Sequence, residues 1–306
     1  MSLPGSGSSN PAGGAPSAAG APGDARRFRP EVAAPEIEKL RLCLIDAIQR
    51  GASDIHIRAG DVVYARVAGQ LTALDTPVLS SVSTYEMVAH ILGTSNHAPP
   101  IDEVRDYTGP WSAPGIARFR VSILRQRSSF AIVMRVIPDI LPSLPSLGLP
   151  TQVGQALLSD FGLVFVTGVQ GSGRSSTIAA LVNHLNKYSP RRRHIVTVES
   201  SIEFLHKNIR CAITQREVGV DTLSWEHALH NTLRQAPDVI LIGEIRSRET
   251  MEHAVAFAET GHLAMGTLHA NSANQALDRI INFFPEERKA QLLMDLSLNI
   301  RALISQ

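Results

Sequence analysis

Four stretches of this chain are apolar almost without a break: Leu163-Val164-Phe165-Val166, Ile195-Val196-Thr197-Val198, Val239-Ile240-Leu241-Ile242 and Ala264-Met265-Gly266-Thr267-Leu268. Short runs of this kind, with no polar residue every second position, are what strands covered on both faces require. They predict a parallel sheet flanked by helices. Upstream, Tyr64-Ala65-Arg66-Val67 and Phe119-Arg120-Val121-Ser122-Ile123-Leu124-Arg125 alternate instead, as half-buried antiparallel strands do, with arginine repeatedly on the polar face. Near the end, Leu292, Leu293, Leu296, Ile300 and Leu303 fall at helical spacing and predict one amphipathic helix running through all five.

Between these two textures lies Ile137 to Pro150, whose four prolines exclude regular structure and mark a semi-rigid linker. The predicted organisation is therefore an N-terminal domain over 34–137, a linker over 138–150 and an α/β domain over 151–306, a division that suits a chain of 306 residues. Residues 1–33 are rich in Gly, Ala, Pro and Ser with almost no large apolar side chain. They cannot bury enough surface to order, and they lack the apolar core of a signal peptide.

Composition excludes several classes. With 29 basic and 28 acidic residues the formal charge is +1, so no broad field recommends nucleic acid as a partner. Arg191-Arg192-Arg193 is expected to be a solvated loop. Cys43 and Cys211 fit no metal spacing and predict reduced thiols in a cytosolic protein. No apolar stretch is long enough to span a bilayer, so direct membrane insertion is not expected.

The chemistry begins just after the first apolar run. Gly168-Val169-Gln170-Gly171-Ser172-Gly173-Arg174-Ser175-Ser176 follows a strand and opens a helix, and it keeps the glycines and the hydroxyl of a phosphate-binding loop in register. Arg174 stands where that pattern has lysine. Backbone N–H groups and the helix N-terminus supply much of such a loop's phosphate affinity, so nucleotide binding is expected to persist. Ser175 retains the hydroxyl for Mg²⁺, while a planar guanidinium replaces a compact ammonium. The other runs end at Glu199, followed by Glu203; at Glu244; and at His269, with His262 just before its strand. Singly, such a glutamate is most often solvated or a helix cap, and a lone histidine is most often structural. Together, beyond the carboxyl ends of parallel strands, they converge on the crevice where ligands of open sheets bind.

At this point the chain resembles the PilT/PilU type of type IV pilus retraction ATPase within the secretion ATPase superfamily. The resemblance runs from Glu36 to Gln306 through Ala52-Ser53-Asp54-Ile55-His56, Arg118-Phe119-Arg120-Val121, Gln215-Arg216-Glu217-Val218, Gly243-Glu244-Ile245-Arg246, Glu259-Thr260-Gly261-His262-Leu263 and Gly266-Thr267-Leu268-His269. Residues 232–299 resemble the PilU branch more than PilT. The resemblance implies a RecA-like P-loop domain with a parallel-sheet core, preceded by a small α+β PAS-like domain. It makes Gly168 to Ser176, with Gly171, Ser172, Gly173, Arg174 and Ser175, the Walker A loop that binds ATP. Glu203 becomes the acid that polarises the attacking water, Glu244 the Walker B glutamate near Mg²⁺, Glu199 a further candidate acid, and His262 and His269 the histidines that sense nucleotide state. Arginines among Arg118, Arg120, Arg125, Arg127 and Arg135 would reach the γ-phosphate of a neighbouring subunit in a hexamer, which would explain a ring. The implied partners are identical subunits or an active paralogue, and the inner-membrane pilus platform, to which a cytoplasmic motor is peripheral.

Three departures from the family pattern surround the site: Arg174, Ser200-Ser201 in place of Asp-Pro, and Ser247 in place of aspartate. The family also continues beyond Gln306, where helices associated with retraction follow. These features leave three readings: a hydrolysing motor subunit, which is the expectation here; a nucleotide-binding but silent ring component; and a truncated remnant.

Overall fold

The computed structural model describes residues 35–95 and 98–306. The extension expected over 1–33 lies outside them. The first part of the described chain runs α1 (Pro35–Gln49), β1 (Ala52–Arg58), β2 (Tyr64–Val67), β3 (Gln70–Ala73), α2 (Ser81–Gly93), β4 (Asp106–Ala113), β5 (Ala117–Gln126) and β6 (Ser129–Ile137). Its six strands form an antiparallel sheet in the order β3-β2-β1-β6-β5-β4. The alternation in β5 does what it promised: Phe119, Val121 and Ile123 are buried, while Arg118, Arg120 and Ser122 lie on the other face. Leu40 and Leu44 of α1 and Met87 and Ile91 of α2 complete that core.

The second part adds α3 (Thr151–Leu157), β7 (Gly162–Thr167), α4 (Arg174–Tyr188), β8 (His194–Glu199), β9 (Ala212–Glu217), α5 (Trp225–Thr232), β10 (Val239–Ile242), α6 (Arg248–Glu259), β11 (Leu263–Leu268), α7 (Ala273–Asn282), α8 (Glu286–Asn299) and β12 (Ile300–Ser305). All pairs in its sheet are parallel, in the order β12-β7-β11-β10-β8-β9. The four apolar runs are the four central strands, and every residue of β7, β10 and β11 is buried. Successive side chains feed opposite layers. Val164, Val166, Leu241 and Met265 pack toward α4, and Phe165, Ile240, Ile242 and Ala264 toward α5, α6 and α8. Leu144 of the proline-rich segment is buried with the first layer, and Asn183 of α4 donates to the Pro142 carbonyl at 2.9 Å. The prolines do not exclude regular structure there altogether: Pro145 opens one turn of 3-10 helix, Pro145–Leu147, as its fixed φ permits at a first helical position.

Two further expectations are corrected. The terminal helix stops at Asn299, and Ile300 to Ser305 pair with Leu163 to Thr167 as a sixth strand. A regular strand would turn 300 and 303 to opposite faces, but a register shift between Ile300 and Ala302 brings both against the same layer, and the free edge of β7 offers a ladder of backbone donors and acceptors that a longer helix would leave unmet. On α8 itself Leu292 and Leu296 are buried while Leu293, Met294 and Leu298 are exposed. The second correction is Arg193, which is 2% exposed rather than solvated; it donates to the carbonyls of Ser159 and Leu158, each at 2.9 Å, and pairs with Asp160 at 3.1 Å. Cys43 and Cys211 are buried free thiols. Among the described residues no helix is long and apolar enough to cross a membrane.

Candidate nucleotide-binding site

The loop between β7 and α4 needs glycine for stated reasons. Gly171 and Gly173 have φ of +80° and +99°, which a side chain disfavours, and a Cβ on Gly168 would strike the Ser172 side chain and stand 2.8 Å from the Gln306 carbonyl oxygen. Helix α4 then starts at Arg174 with Gly173 as its cap residue and no side chain capping its first amides. Uncapped N–H groups at a helix N-terminus, beneath a loop whose positive φ angles and close approach at Gly168 call for glycine, fit phosphate.

Above this loop a cavity of about 520 Å³ opens along the carboxyl edge of the sheet. Arg174, Ser175, Glu199, Glu203, Glu244 and His269 line it together, as their strand-end positions predicted, and Arg120 reaches it from β5. Gly243, just before Glu244, packs against the end of β8, where a Cβ would lie 3.1 Å from the Glu199 Cα, and the Thr267 hydroxyl donates to the Gly243 carbonyl. The Glu244 carboxylate pairs with Arg246 at 2.6 Å and lies 3.7 Å from His269 Nε2. Burial holds the His269 pKa below the usual imidazole value, with Arg174 and Arg246 pushing the same way. Its ring is therefore a neutral hydrogen-bonding group at neutral pH.

Glu199 has the largest carboxylate perturbation in the site. Burial raises its pKa to about 7 against the donation of Thr197 Oγ1 at 2.6 Å and Gln215 Nε2 at 3.2 Å, with Glu203 and Glu217 adding negative potential. It can hold or release a proton at neutral pH. Glu203 is exposed to the cavity from the irregular segment after β8. Arg174 turns its Nη1 to the Leu268 carbonyl at the end of β11, at 3.1 Å, so part of its donor capacity is spent on the sheet.

Other residues named from the sequence are placed elsewhere. His262 precedes β11 and is held by Thr260 and the Phe257 carbonyl, six residues and about 20 Å of strand from His269. Arg135 pairs with Asp54 at 2.9 Å, Arg125 donates to the Val104 carbonyl and stacks over Phe130, and Arg127 occupies the tight β5–β6 turn at φ +47°. Arg118 has its Nε buried with no partner among the described residues. Ser247, one of the three departures from the family pattern, caps α6: its side chain accepts from Thr250 N and Thr250 returns the bond. Serine and aspartate are comparable caps, so this exchange costs little. Ser200 and Ser201 make no side-chain hydrogen bond among the described residues. Sequence reasoning passed over Arg246, the partner of Glu244, although it sits only two residues away. It also gave Gln306 no role; its amide donates to Thr177 Oγ1 of α4 at 2.5 Å and its backbone N–H to the Thr167 carbonyl.

The donor set suits magnesium. The Ser175 hydroxyl and the Glu244 carboxylate are hard oxygen ligands, and among the described residues no group of three His, Cys, Asp or Glu side chains could hold a metal ion alone. Such a cation would share its shell with phosphate.

Comparison with known proteins agrees with this geometry. The profile of the Type II/IV secretion system protein family matches residues 31–306. The type IV pilus ATPase PilU of Pseudomonas aeruginosa is 47% identical over 273 residues, 89% of this chain and 69% of the relative. The type IV pilus retractation ATPase PilT of the same organism is 38% identical over 84% of this chain and 74% of the relative. A crystal structure of the pilus retraction motor PilT with bound ADP superposes with a TM-score of 0.79 at 37% identity, covering 85% of this chain and 76% of that one. The chain belongs to the Type II/IV secretion system protein family, on its PilT/PilU-like pilus retraction ATPase side.

Proposed function

We propose that this chain is an ATP-hydrolysing subunit of a ring-shaped motor that drives type IV pilus retraction. The observation that carries the reading is the convergence of a glycine cradle, an uncapped helix N-terminus, three carboxylates and a histidine on one cavity at the carboxyl edge of a parallel sheet. In this reading the amides of the loop hold the β- and γ-phosphates, and Ser175 and Glu244 hold Mg²⁺. The cation, when bound, neutralises charge on the transferring phosphoryl group. Glu203 orients the attacking water and takes up its proton, Glu199 supports the acid side of the cavity, and His269 reports on the state of Glu244. Arg120 lines the cavity of its own chain, which supports a role on the nucleotide held by the same subunit in addition to the role across a subunit interface expected from sequence. The domains act as an N-terminal unit over 34–137 and an ATPase unit over 151–306. They assemble as a hexamer, homomeric or mixed with a paralogue, docked from the cytoplasm on the inner-membrane pilus platform.

Steady-state MgATP hydrolysis tests the reading. Turnover above that of Glu244→Ala supports it, and turnover equal to that of the variant refutes it. A second reading, a nucleotide-binding but silent ring component, is favoured by the Arg174 contact with the Leu268 carbonyl. It predicts ATP binding without turnover, and altered turnover when the chain is mixed with an active paralogue.

A further inference from the structure

Glu203, the residue to which the proposed hydrolysis gives the water, sits in a segment with no helix or strand, so something outside that segment must hold it. We propose that Gln215 is the positioning residue for Glu203, its side-chain amide fixing the 200–206 segment against the end of β8; this inference rests on the proposed ATPase reading. Gln215 lies on the edge strand β9, in register with Thr197 of β8. Its Nε2 donates to Glu199 Oε1 at 3.2 Å and to the Phe204 carbonyl at 3.0 Å, and its Oε1 accepts from the His206 N–H at 2.8 Å. Both donors and the acceptor of one amide are thus engaged. Two residues along the same face of β9, Glu217 Oε2 accepts from the Ile202 N–H at 3.1 Å. The residues on either side of Glu203 are therefore each tied to β9, Ile202 through Glu217 and Phe204 through Gln215, while the Glu203 side chain points into the cavity. Ser200 and Ser201 add no side-chain hydrogen bond among the described residues, so the segment leans on β9. Gln215 is also the only one of these anchors that touches a second cavity carboxylate, so a single amide sets the spacing between the Glu199 strand end and the Glu203 turn.

The phosphate cradle is built on β7 and α4, remote from β9 in the sheet order, so loss of Gln215 separates turnover from binding. The test uses the full chain and two variants. Gln215→Ala removes all three bonds. Gln215→Glu keeps the volume and the acceptor for His206 but cannot donate. Misplacing a catalytic group by about 1 Å costs on the order of 10² in rate. Both variants are therefore expected to lose about 10²-fold in kcat with the KM for MgATP changed by less than about threefold, and amide exchange over 202–206 is expected to accelerate in Gln215→Ala while that of β7 and α4 is unchanged. A kcat within about twofold of wild type, a loss carried by KM, or full activity in Gln215→Glu overturns the proposal. If the wild-type chain shows no turnover, the ATPase reading fails, and amide exchange decides alone: unchanged protection over 202–206 in Gln215→Ala overturns the positioning role.

Discussion

Replacing Glu199 by glutamine should stabilise this protein, and by an amount that depends on pH. The carboxyl group is enclosed at the end of β8, and burial lifts its pKa from an ordinary 4.5 to about 7. A raised folded pKa means that the folded state binds the proton more tightly than the unfolded chain. The stability contributed by the protonated form is then fully present below pH 4.5 and is lost as pH rises through about 7. Each pKa unit corresponds to about 1.4 kcal/mol, so ionising Glu199 in place costs about 3 kcal/mol at and above pH 7 and under about 1 kcal/mol near pH 5. Glutamine is a neutral replacement of the same shape, and its carbonyl oxygen can still accept from Thr197 and Gln215. Denaturant unfolding of both proteins without nucleotide, followed by tryptophan fluorescence from pH 5 to 8.5, measures the difference. The expected gain for Glu199→Gln is small at pH 5 and about 3 kcal/mol at pH 8, or roughly 6–12 °C in Tm for a domain of this size. Equal stabilities at pH 8, or a gain that does not change with pH, would refute the burial argument.

Three further outcomes follow from the same geometry. Arg174→Lys frees the Leu268 carbonyl and returns a compact ammonium to the phosphate loop, so steady-state turnover is expected to rise by about 10-fold or more; no rise at saturating MgATP would place the limit at Ser200-Ser201 or in ring assembly. Arg193→Ala removes two bonds to buried-side carbonyls and a pair with the largely exposed Asp160. It should cost about 2–4 kcal/mol in denaturant unfolding with nucleotide affinity unchanged, because Arg193 lies at the amino end of β8, away from the cavity. Burial lowers the His206 pKa to about 4, so the unfolded chain takes up a proton that the folded one refuses. Stability is then lost as pH falls from about 6.5 toward about 4, at up to about 1.4 kcal/mol per unit, and His206→Gln should flatten that part of the profile.

What the sequence disclosed and what it withheld divide along physical lines. The parallel sheet was legible because strands covered on both faces must be apolar throughout, and the cavity carboxylates were legible because they stand immediately beyond those strands. β12 was not, since Leu292, Leu296, Ile300 and Leu303 satisfy helical spacing, and only the open edge of β7 decides for a strand. Arg193 looked solvated because its partners, Leu158 to Asp160, come from the loop before β7, more than thirty residues earlier. His269 and His262 sit close in sequence but at opposite ends of β11, a separation that depends on where the strand begins and ends. Gln215 carries no local signal at all: on an edge strand an amide side chain is usually solvated, and its three partners are visible only in the folded chain.

The most direct test of the account is a single-turnover measurement. With the chain in excess over γ-labelled ATP and Mg²⁺ present, both the wild type and Glu203→Gln are expected to bind tightly, with labelled phosphate released by the wild type alone. Binding without phosphate release from the wild type would contradict it and leave a nucleotide-sensing ring component, and release at equal rates from both proteins would remove Glu203 from the reaction.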